Sequence, residues 1–304
     1  MPLGPQQRET LLRRSVYLLL AIVAATMLLP LLWMISTSLK SPEVPISQFL
    51  PDVPTFRNYV KVFEDVPFGR FYFNSLLVAL IVTVGQVATS ALAAYAFARL
   101  DFPGRNKIFL AYLSTMMIPA AVTMVPLFTL FYQIPEIINW IFGTTYFSDD
   151  VYFLGKEYAG VPMGLDSYFA LIAPALFSAY GTFMLRQFFL GIPRDLEDAA
   201  EIDGCSKMQI FRWIIIPLSK PALATLAIFT FMNNWRSFLW PLIMTNAMEM
   251  KTLPVGLSSF MDMHGADWPL LMAGANMMLV PMILVFLFCQ KWFISGIQLG
   301  AVKG

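Results

Sequence analysis

Residues 192–222 read IPRDLEDAAEIDGCSKMQIFRWIIIPLSKPA, a polar stretch that lies between two long apolar segments. Acidic residues from Asp195 onward suit the positive end of a helix dipole, so a helix is expected to begin there. Gly204 permits a backbone conformation that ends a helix, and Ser206 and Gln209 have the spacing of a capping box. The sequence therefore predicts two short helices joined by a tight turn.

The composition around this stretch indicates an integral membrane protein. The chain has 304 residues, of which 58% are hydrophobic and only 13% are charged. A typical soluble domain has about 25% charged residues, so the charge here is too sparse to cover a soluble protein of this length. The same apolar character excludes intrinsic disorder.

Residue counts exclude several classes of chemistry. The net charge of +1 shows no basic excess that would favour nucleic acid as a partner. One histidine, His264, and two cysteines, Cys205 and Cys289, leave no spacing typical of a metal site, so no metal and no histidine-based catalytic site are expected. Both cysteines fall near the predicted cytoplasmic side, where thiols stay reduced, and no disulfide is expected.

Six segments are long and apolar enough to cross the hydrocarbon core, which takes about 20 residues. We predict spanning helices over residues 15–38, 72–98, 107–132, 167–190, 213–244 and 269–294. The first run is longer than the core of a signal peptide, and no small-residue cleavage site follows it, so we interpret it as a retained helix. The fold class is therefore all-α integral membrane, with one transmembrane domain.

Lysine and arginine set the expected orientation. They are about twice as frequent on the side that holds both termini as on the other, which places both termini in the cytoplasm. The predicted organisation is a cytoplasmic segment over residues 1–14, a transmembrane domain over 15–294 and a cytoplasmic tail over 295–304. The helix–turn–helix at about 192–217 belongs to the transmembrane domain and faces the cytoplasm.

The helix–turn–helix resembles the signature loop of ABC-importer permeases. The family pattern is Glu-Ala-Ala, three residues, Gly, nine residues, Ile, one residue, Leu-Pro. This chain has Asp198-Ala199-Ala200, Gly204, Ile214 and Ile216-Pro217. The spacing is intact, and Asp198 and Ile216 are the two departures.

Other stretches resemble the carbohydrate-uptake branch of that family, in particular the shorter permease of the maltose-type pair. They are PFGR at 67–70 before Asn74-Ser75, AYAFARL at 94–100 with PGR at 103–105, MIP at 117–119, WRSFLWPL at 235–242, QKWFISG at 290–296 and GAVKG at 300–304. The resemblance covers about residues 10 to 304. Arg236 stands where relatives usually have Asn, and the external segment at about 139–164 is longer than usual.

The resemblance implies a subunit that works with partners in the inner membrane of a bacterium. It implies a type I importer fold with six helices embedded in lipid, a second homologous permease, two cytoplasmic ATPase subunits and an extracytoplasmic solute-binding protein. Solute of carbohydrate type would cross by alternating access. The chain itself would hold no cofactor, since ATP and Mg²⁺ would bind the ATPase subunits, and no Walker A pattern occurs in the sequence.

The resemblance also assigns candidate residues. The ATPase-coupling loop would include Glu197, Asp198, Ala199, Ala200, Asp203, Gly204, Phe211 and Pro217. The last external loop, at about 246–268, would reach the binding protein. Its polar candidates are Asp262, His264 and Asp267.

Four polar residues within predicted spans are candidates for the solute pathway: Asn233, Asn234, Arg236 and Asn276. Arg236 is expected about 22 Å along the fifth helix from Pro221, at 1.5 Å per residue, toward the outer leaflet. A charge at that depth costs several kcal/mol unless it faces a cavity or reaches the headgroups. Contact with solute, snorkelling and a structural contact are all compatible with the sequence, and the asparagines equally suit sugar hydroxyls or helix–helix contacts.

Two other classes of protein compete with this interpretation. An ion-coupled secondary transporter often carries Asp, Glu or His near the membrane midplane, and the predicted span centres contain no Asp or Glu. A membrane-embedded enzyme would need a cluster of acids, bases or metal ligands within the spans, which the sequence does not show. An ATP-driven importer is therefore the preferred function.

Overall fold

The structure, a computed structural model, describes residues 5–145, 147, 151–153, 156–158, 163–262 and 265–301. The regular secondary structure of the described residues is helical apart from two short antiparallel hairpins. The first pairs β1 (Val151–Phe153) with β2 (Lys156–Tyr158), and the second pairs β3 (Met261–Asp262) with β4 (Gly265–Ala266). The chain divides into two compact units, Met1–Val66 with Leu257–Val280 and Pro67–Gly256 with Pro281–Gly304.

The first unit contains α1 (Pro5–Ser38), α2 (Arg57–Asp65), a 3-10 turn (Ser258–Phe260), the second hairpin and the start of α14 (Trp268–Ala301). The most apolar window of α1 is not buried within the chain at all. A helix that is apolar on every side is suited to lipid or to another apolar helix. This helix therefore has the character of a membrane span.

Lys40 organises the chain where α1 ends. Its side chain is fully buried, and Nζ donates to the carbonyl oxygens of Ile46, at 3.2 Å, and Gln48. The buried Asn58 amide donates to the carbonyls of Ser38 and Lys40 at 2.8 and 2.7 Å. Since a buried ammonium is tolerated only with hydrogen-bond partners, Lys40 fixes the path of this proline-rich connection.

The second unit is built around three helices that pack on one another, α3 (Phe68–Arg99), α7 (Ala179–Leu190) and α11 (Lys220–Trp235). Gly181 lets them approach closely, because a Cβ there would lie 2.6 Å from Ser90 Oγ and 3.2 Å from a Leu226 methyl. Small residues at helix contacts are a common way to pack helices in membranes.

Eight further helices complete the description of this part of the chain. They are α4 (Arg105–Ser114), α5 (Ala120–Phe142), α6 (Tyr168–Ile172), α8 (Asp195–Ile202), α9 (Lys207–Ile210), α10 (Ile216–Leu218), α12 (Leu239–Met244) and α13 (Leu253–Leu257). Between them lie 3-10 turns at Thr115–Met117, Ala173–Leu176 and Met248–Met250, and a π-helical turn at Phe211–Ile215.

Five helical segments are long and apolar enough to span a membrane: Leu12–Ser38, Phe68–Arg99, Ala120–Phe142, Tyr168–Leu190 and Trp268–Gln290. A sixth results if Lys207–Leu218 and Lys220–Trp235, which meet at 78°, form one broken span. These figures count only the described residues and rest on length and composition. The prediction of an all-helical protein with several apolar spans is confirmed.

The predicted bounds of the third and fifth spans are wrong. The third was expected over 107–132, but the helix breaks at Ile118, which is extended at φ −83° and ψ 118°, and the apolar span is α5. Pro119 explains the break, because proline disfavours helical backbone at the residue before it. The fifth was expected over 213–244, but the apolar helix pair runs from Lys207 to Trp235 and is bent after Leu218.

The Gly256→Ala substitution tests the packing of the second unit. A Cβ at Gly256 would lie 2.1 to 2.6 Å from three ring atoms of the fully buried Phe71. Overpacking of this kind costs about 1–3 kcal/mol, so we expect a clearly lower melting temperature of the purified protein. Gly69→Ala is the control, because a Cβ at Gly69 meets nothing within 4 Å. Equal melting temperatures for both variants would contradict this account.

Replacing Lys40 tests the buried ammonium. Lys40→Met removes the donor from the Ile46 and Gln48 carbonyls, and losing such bonds costs about 1–3 kcal/mol in stability. The matched variant is Lys61→Met, since the Lys61 side chain is 39% exposed and pairs with Asp65 four residues on. Thermal unfolding should separate the two variants, and a Lys40→Met protein as stable as Lys61→Met would show that the ammonium does not fix the connection.

Candidate functional site

The predicted helix–turn–helix is present and is confirmed as α8 followed by α9. Gly204 has φ +83°, in the left-handed region that the turn requires. Ser206 Oγ accepts from the Gln209 N–H at 3.4 Å, and Gln209 Oε1 accepts from the Ser206 N–H at 2.7 Å, so the capping box is formed. We call residues 195–218, from α8 to α10, the coupling segment.

A buried ion pair joins the coupling segment to the end of α3. Arg99 Nε lies 2.8 Å from Glu197 Oε1, and the two side chains are only 4% and 10% exposed. The contact is a close charge pair that is not aligned as a hydrogen bond. Burial of this pair is costly unless other bonds complete it.

Backbone carbonyls complete the surroundings of Arg99. One of its terminal nitrogens donates to the carbonyl oxygens of Phe189, at 2.5 Å, and Ile192, at 2.6 Å, where α7 ends. The Phe189 carbonyl also accepts from the Ile192 N–H, and Arg99 adds a charged donor to both carbonyls while it holds Glu197. It therefore joins three elements, α3, α7 and α8.

Tyr95 gives a second connection, one turn before Arg99 on α3. Its hydroxyl donates to the Lys207 carbonyl at 3.1 Å, and its ring lies 5.0 Å from that of Phe211 between centroids. Around it Ala200, Ile210 and Phe211 of the coupling segment belong to one buried cluster with residues of α3, α7 and α11. The coupling segment is thus anchored on its inner face by apolar packing as well as by charge.

The electrostatics of Glu197 reflect this burial. Desolvation raises the pKa of its carboxyl above the ordinary value, although the Arg99 charge acts in the opposite direction. The neutral carboxyl is therefore favoured in the folded protein relative to the unfolded chain. The stabilisation that follows is full below the ordinary pKa and is lost as the pH rises through the raised pKa.

The eight sequence-predicted coupling residues divide into two sets. Asp198, Ala199, Asp203, Gly204 and Pro217 are exposed, and Glu197, Ala200 and Phe211 are buried. Glu197 thus points inward to Arg99, where it positions the segment. Sequence reasoning missed Arg99 and Tyr95, although both lie in the stretch 94–100 that carries part of the family resemblance.

The outer face of the coupling segment combines acids with large apolar side chains. Asp195, Asp198, Glu201 and Asp203 are exposed on and after α8. Ile202 is 87% exposed and Trp213 is 68% exposed. Exposed apolar side chains rimmed by charge are typical of a surface that binds another protein.

A second polar network ties residues 246–253 to α3 and to the start of α6. The fully buried Asn74 donates to the carbonyls of Glu249 and Lys251 at 2.8 and 2.9 Å and accepts from the Tyr168 hydroxyl at 2.6 Å. Ser75 Oγ accepts from the Leu253 N–H at 2.7 Å. Residues 246–253 are therefore held by α3.

Asp166 fixes the start of the same loop. Its Oδ1 accepts from the N–H groups of Asn246 and Ala247 at 2.6 and 2.8 Å, and its own N–H donates to the Met244 carbonyl at 2.9 Å. Asp166 has φ +55°, a left-handed conformation that is uncommon for a residue other than glycine. The strained backbone is maintained by these three bonds.

The candidates for the solute pathway do not form one site. Asn233 and Asn234 lie in the last turn of α11, and Arg236 follows as its C-cap, exposed, with a terminal nitrogen donating to Asn233 Oδ1 at 3.0 Å. The expectation that Arg236 lies inside a span is wrong, because the helix ends before it. Asn276 belongs to the first unit and donates to the Tyr59 hydroxyl at 3.1 Å.

Of the three residues predicted to contact the binding protein, the structure describes the side chain of Asp267 alone. Asp267 Oδ1 accepts from the Leu270 N–H at 3.2 Å, as a cap for the start of α14. Asp262 lies in β3, with its side chain outside the description, and His264 falls outside the described residues.

Comparison with known proteins agrees with this architecture. A family model described as "Binding-protein-dependent transport system inner membrane component" matches residues 86–298. The arabinooligosaccharides transport system permease protein AraQ of Bacillus subtilis (strain 168) is 38% identical over 84% of this chain and 81% of its own. The sulfoquinovosyl glycerol transport system permease protein SmoH of Agrobacterium fabrum is 33% identical over 94% of each chain.

A solved structure shares the fold. A bacterial ABC transporter involved in the import of the acidic polysaccharide alginate has a chain that superposes with a TM-score of 0.74 at 23% identity, over 96% of this chain and 100% of that one. The family match covers more than half of the sequence and includes the whole coupling segment. This chain therefore belongs to the family of inner-membrane components of binding-protein-dependent transport systems, the permeases of ABC importers.

Proposed function

We propose that this permease carries a carbohydrate, or a related polyol or glycoside, that a binding protein delivers outside the membrane, and that it works by alternating access. The names of the relatives that transport arabinooligosaccharides and sulfoquinovosyl glycerol support this class of solute. The coupling segment supports the mechanism, because its inner face is anchored to three long helices. A movement of the segment would be transmitted to those helices.

The proposed topology has six spans and both termini in the cytoplasm. The bias of lysine and arginine supports it, and the bent pair supplies the sixth span, with α11 as its membrane part. Residues 1–14 and 295–304 would then be cytoplasmic, and 15–294 would form the transmembrane domain in the lipid of the inner membrane.

The proposed partners are a second homologous permease, two cytoplasmic ATPase subunits and the binding protein. The ATPase subunits would bind ATP and Mg²⁺ and would dock on the exposed residues of the coupling segment, Asp198, Ala199, Asp203, Gly204 and Pro217. The buried Glu197, Ala200 and Phe211 would hold that surface in place. The single observation that carries this assignment is the Arg99–Glu197 pair, which fixes the segment to the ends of α3 and α7.

The opposite end of the second unit would receive the binding protein. The Asn74, Ser75 and Asp166 bonds hold the backbone of residues 246–253 in one path. A fixed base of this kind suits the last external loop, in which Asp262, His264 and Asp267 are the proposed contacts. Asn233, Asn234, Arg236 and Asn276 remain the proposed polar residues of the solute pathway.

Reconstitution tests the function directly. The experiment compares ATP-dependent uptake by proteoliposomes that contain the ATPase subunits, the second permease and the loaded binding protein, with and without this chain. Uptake should require this chain and ATP. Uptake that depends on a sodium or proton gradient and does not depend on ATP would instead support an ion-coupled secondary transporter.

The Arg99–Glu197 pair should respond asymmetrically to substitution. Arg99→Met leaves the buried Glu197 without its cationic partner and removes a charged donor from the Phe189 and Ile192 carbonyls, which should cost about 3–5 kcal/mol. Glu197→Gln keeps the shape and removes the penalty of burying the charge, so its cost should be smaller. Thermal unfolding of the purified protein measures both.

A matched exposed cation controls for the loss of charge alone. Lys207 pairs with Glu201 on the surface of the segment, and exposed pairs contribute about 0–1 kcal/mol. Lys207→Met should therefore leave the melting temperature nearly unchanged. If Arg99→Met were as stable as Lys207→Met, the pair would not anchor the segment.

Substitutions at Gly204 test the turn within the coupling segment. Gly204→Val places a β-branched residue at φ +83°, whereas Gly204→Asn places a residue that tolerates the left-handed region. A Cβ at this position meets nothing within 4 Å, so the variants differ in backbone strain more than in packing. We expect Gly204→Val to lower ATP-dependent uptake about tenfold or more while the chain still inserts, and Gly204→Asn to retain most activity.

The measurements for Gly204 are uptake by reconstituted vesicles and the amount of chain in the membrane fraction. Wild-type uptake by Gly204→Val would show that the turn at Gly204 is not needed for coupling. Equal loss in both variants would show that bulk, and not the backbone conformation, matters at this position.

A further inference from the structure

A cavity of about 200 Å³ lies within the second unit, between the start of α3, the end of α6 and the residues that follow α11. Its polar lining comes from Ser75, Asn234, Ser237 and Thr252, and its aromatic wall is Trp240. None of the described residues that line it is charged. A cavity of about 150 Å³ is large enough to hold benzene, so this one has room for a single ring of a sugar.

The polar groups of the cavity are incompletely paired. Asn234 Nδ2 donates to the Thr230 carbonyl at 2.9 Å, while its Oδ1 has no partner among the described residues. The Thr252 hydroxyl is buried and likewise lacks a partner within the described chain. Buried polar groups are nearly always hydrogen-bonded, so the Thr252 hydroxyl is suited to a ligand that donates or accepts. Asn234 is half-buried, and its Oδ1 offers an acceptor.

The aromatic wall is fixed in place. Trp240 Nε1 donates to the Ala170 carbonyl at 3.0 Å, and its ring meets that of Phe131 edge-on, with 6.2 Å between centroids. The Ser75 hydroxyl is held by the hydrogen bond that it accepts from the Leu253 N–H. Binding sites for small molecules commonly combine an apolar or aromatic wall with a few placed polar groups. A rigid indole and several hydroxyl and amide groups match the apolar C–H surface and the hydroxyls of a sugar.

We propose that this cavity is a subsite of the permease for one uncharged sugar unit of the transported solute. The proposal rests on the proposed function, and it assigns direct contact with solute to this chain. Neutral hydroxyls would bind Asn234, Ser237 and Thr252, and the ring would lie against Trp240. A phosphate or sulfonate would find no cation in the lining. Arg236 follows α11 nearby in sequence but does not line the cavity.

The test uses the whole transporter in proteoliposomes, with its second permease, ATPase subunits and binding protein. The solute is whichever of arabinotriose, maltotriose and glycerol 3-phosphate most stabilises the binding protein against thermal unfolding. The variants are Asn234→Ala and Ser237→Ala, which remove hydrogen bonds, and Ala175→Leu, which fills the cavity. Thr129→Ala is the control, because Thr129 is exposed on α5 and does not line the cavity.

We expect Asn234→Ala and Ser237→Ala to lower the maximal uptake rate about tenfold each, the loss of one hydrogen bond. The half-saturating solute concentration should not change, since the binding protein sets it. ATP hydrolysis stimulated by the loaded binding protein should persist, so the ATP consumed per solute should rise about tenfold. Ala175→Leu should abolish uptake, and Thr129→Ala should behave as wild type.

Several outcomes would overturn the subsite. Uptake within twofold of wild type in the cavity variants would do so while leaving the proposed function intact. A parallel fall in uptake and ATP hydrolysis would show that these residues only maintain structure. Selection of glycerol 3-phosphate by the binding protein would contradict an uncharged ligand. If the wild-type complex transported none of the three solutes with ATP, this result would contradict the proposed carbohydrate function and the subsite together.

Discussion

The organisation of the coupling segment depends on one buried arginine. Arg99 stands at the end of α3, pairs with Glu197 and donates to two backbone carbonyls at and just after the end of α7. A guanidinium is suited to this task because it presents several donors in a fixed plane. Without it the segment would retain its turn and capping box but would lose its charged attachment to the long helices.

This arrangement separates two roles that the sequence pattern alone combines. Neighbouring acids at 197 and 198 look equivalent in the sequence, yet Glu197 is buried and Asp198 is exposed. The first positions the segment, and the second is available to a partner. Local sequence could not distinguish them, because the inward direction is set by Arg99, which lies about one hundred residues earlier in the chain.

The features that the sequence predicts well are local. Gly204 and the pair Ser206 and Gln209 specify the turn and the next helix through bonds a few residues apart, and both were found as expected. Span bounds were less predictable, because prolines at 119, 217 and 221 interrupt apolar runs whose hydropathy continues past them. Hydropathy reports that a residue prefers lipid, and it does not report where the helical hydrogen bonds stop.

The position of Arg236 shows the same limit. An apolar run that continues to residue 244 suggested a charge inside a helix, but α11 ends at Trp235 and Arg236 caps it. The polar network that holds residues 246–253 could not be predicted from local sequence either, since Asn74 and its acceptors at 249 and 251 are far apart in the chain. Such contacts follow from packing, which a single sequence does not specify.

The chain needs few charged residues because its buried polar side chains bond to backbone groups. Arg99, Lys40 and Asn74 donate to backbone carbonyls, and Asp166 accepts from backbone N–H groups. Each holds a non-helical connection or a helix end. Buried backbone that leaves a helix must find its hydrogen bonds within the protein, and one well-placed polar side chain can bond two such groups. A few buried polar residues therefore suffice to fix the connections, and Asp195 and Asp198 of α8 are exposed where another protein could reach them.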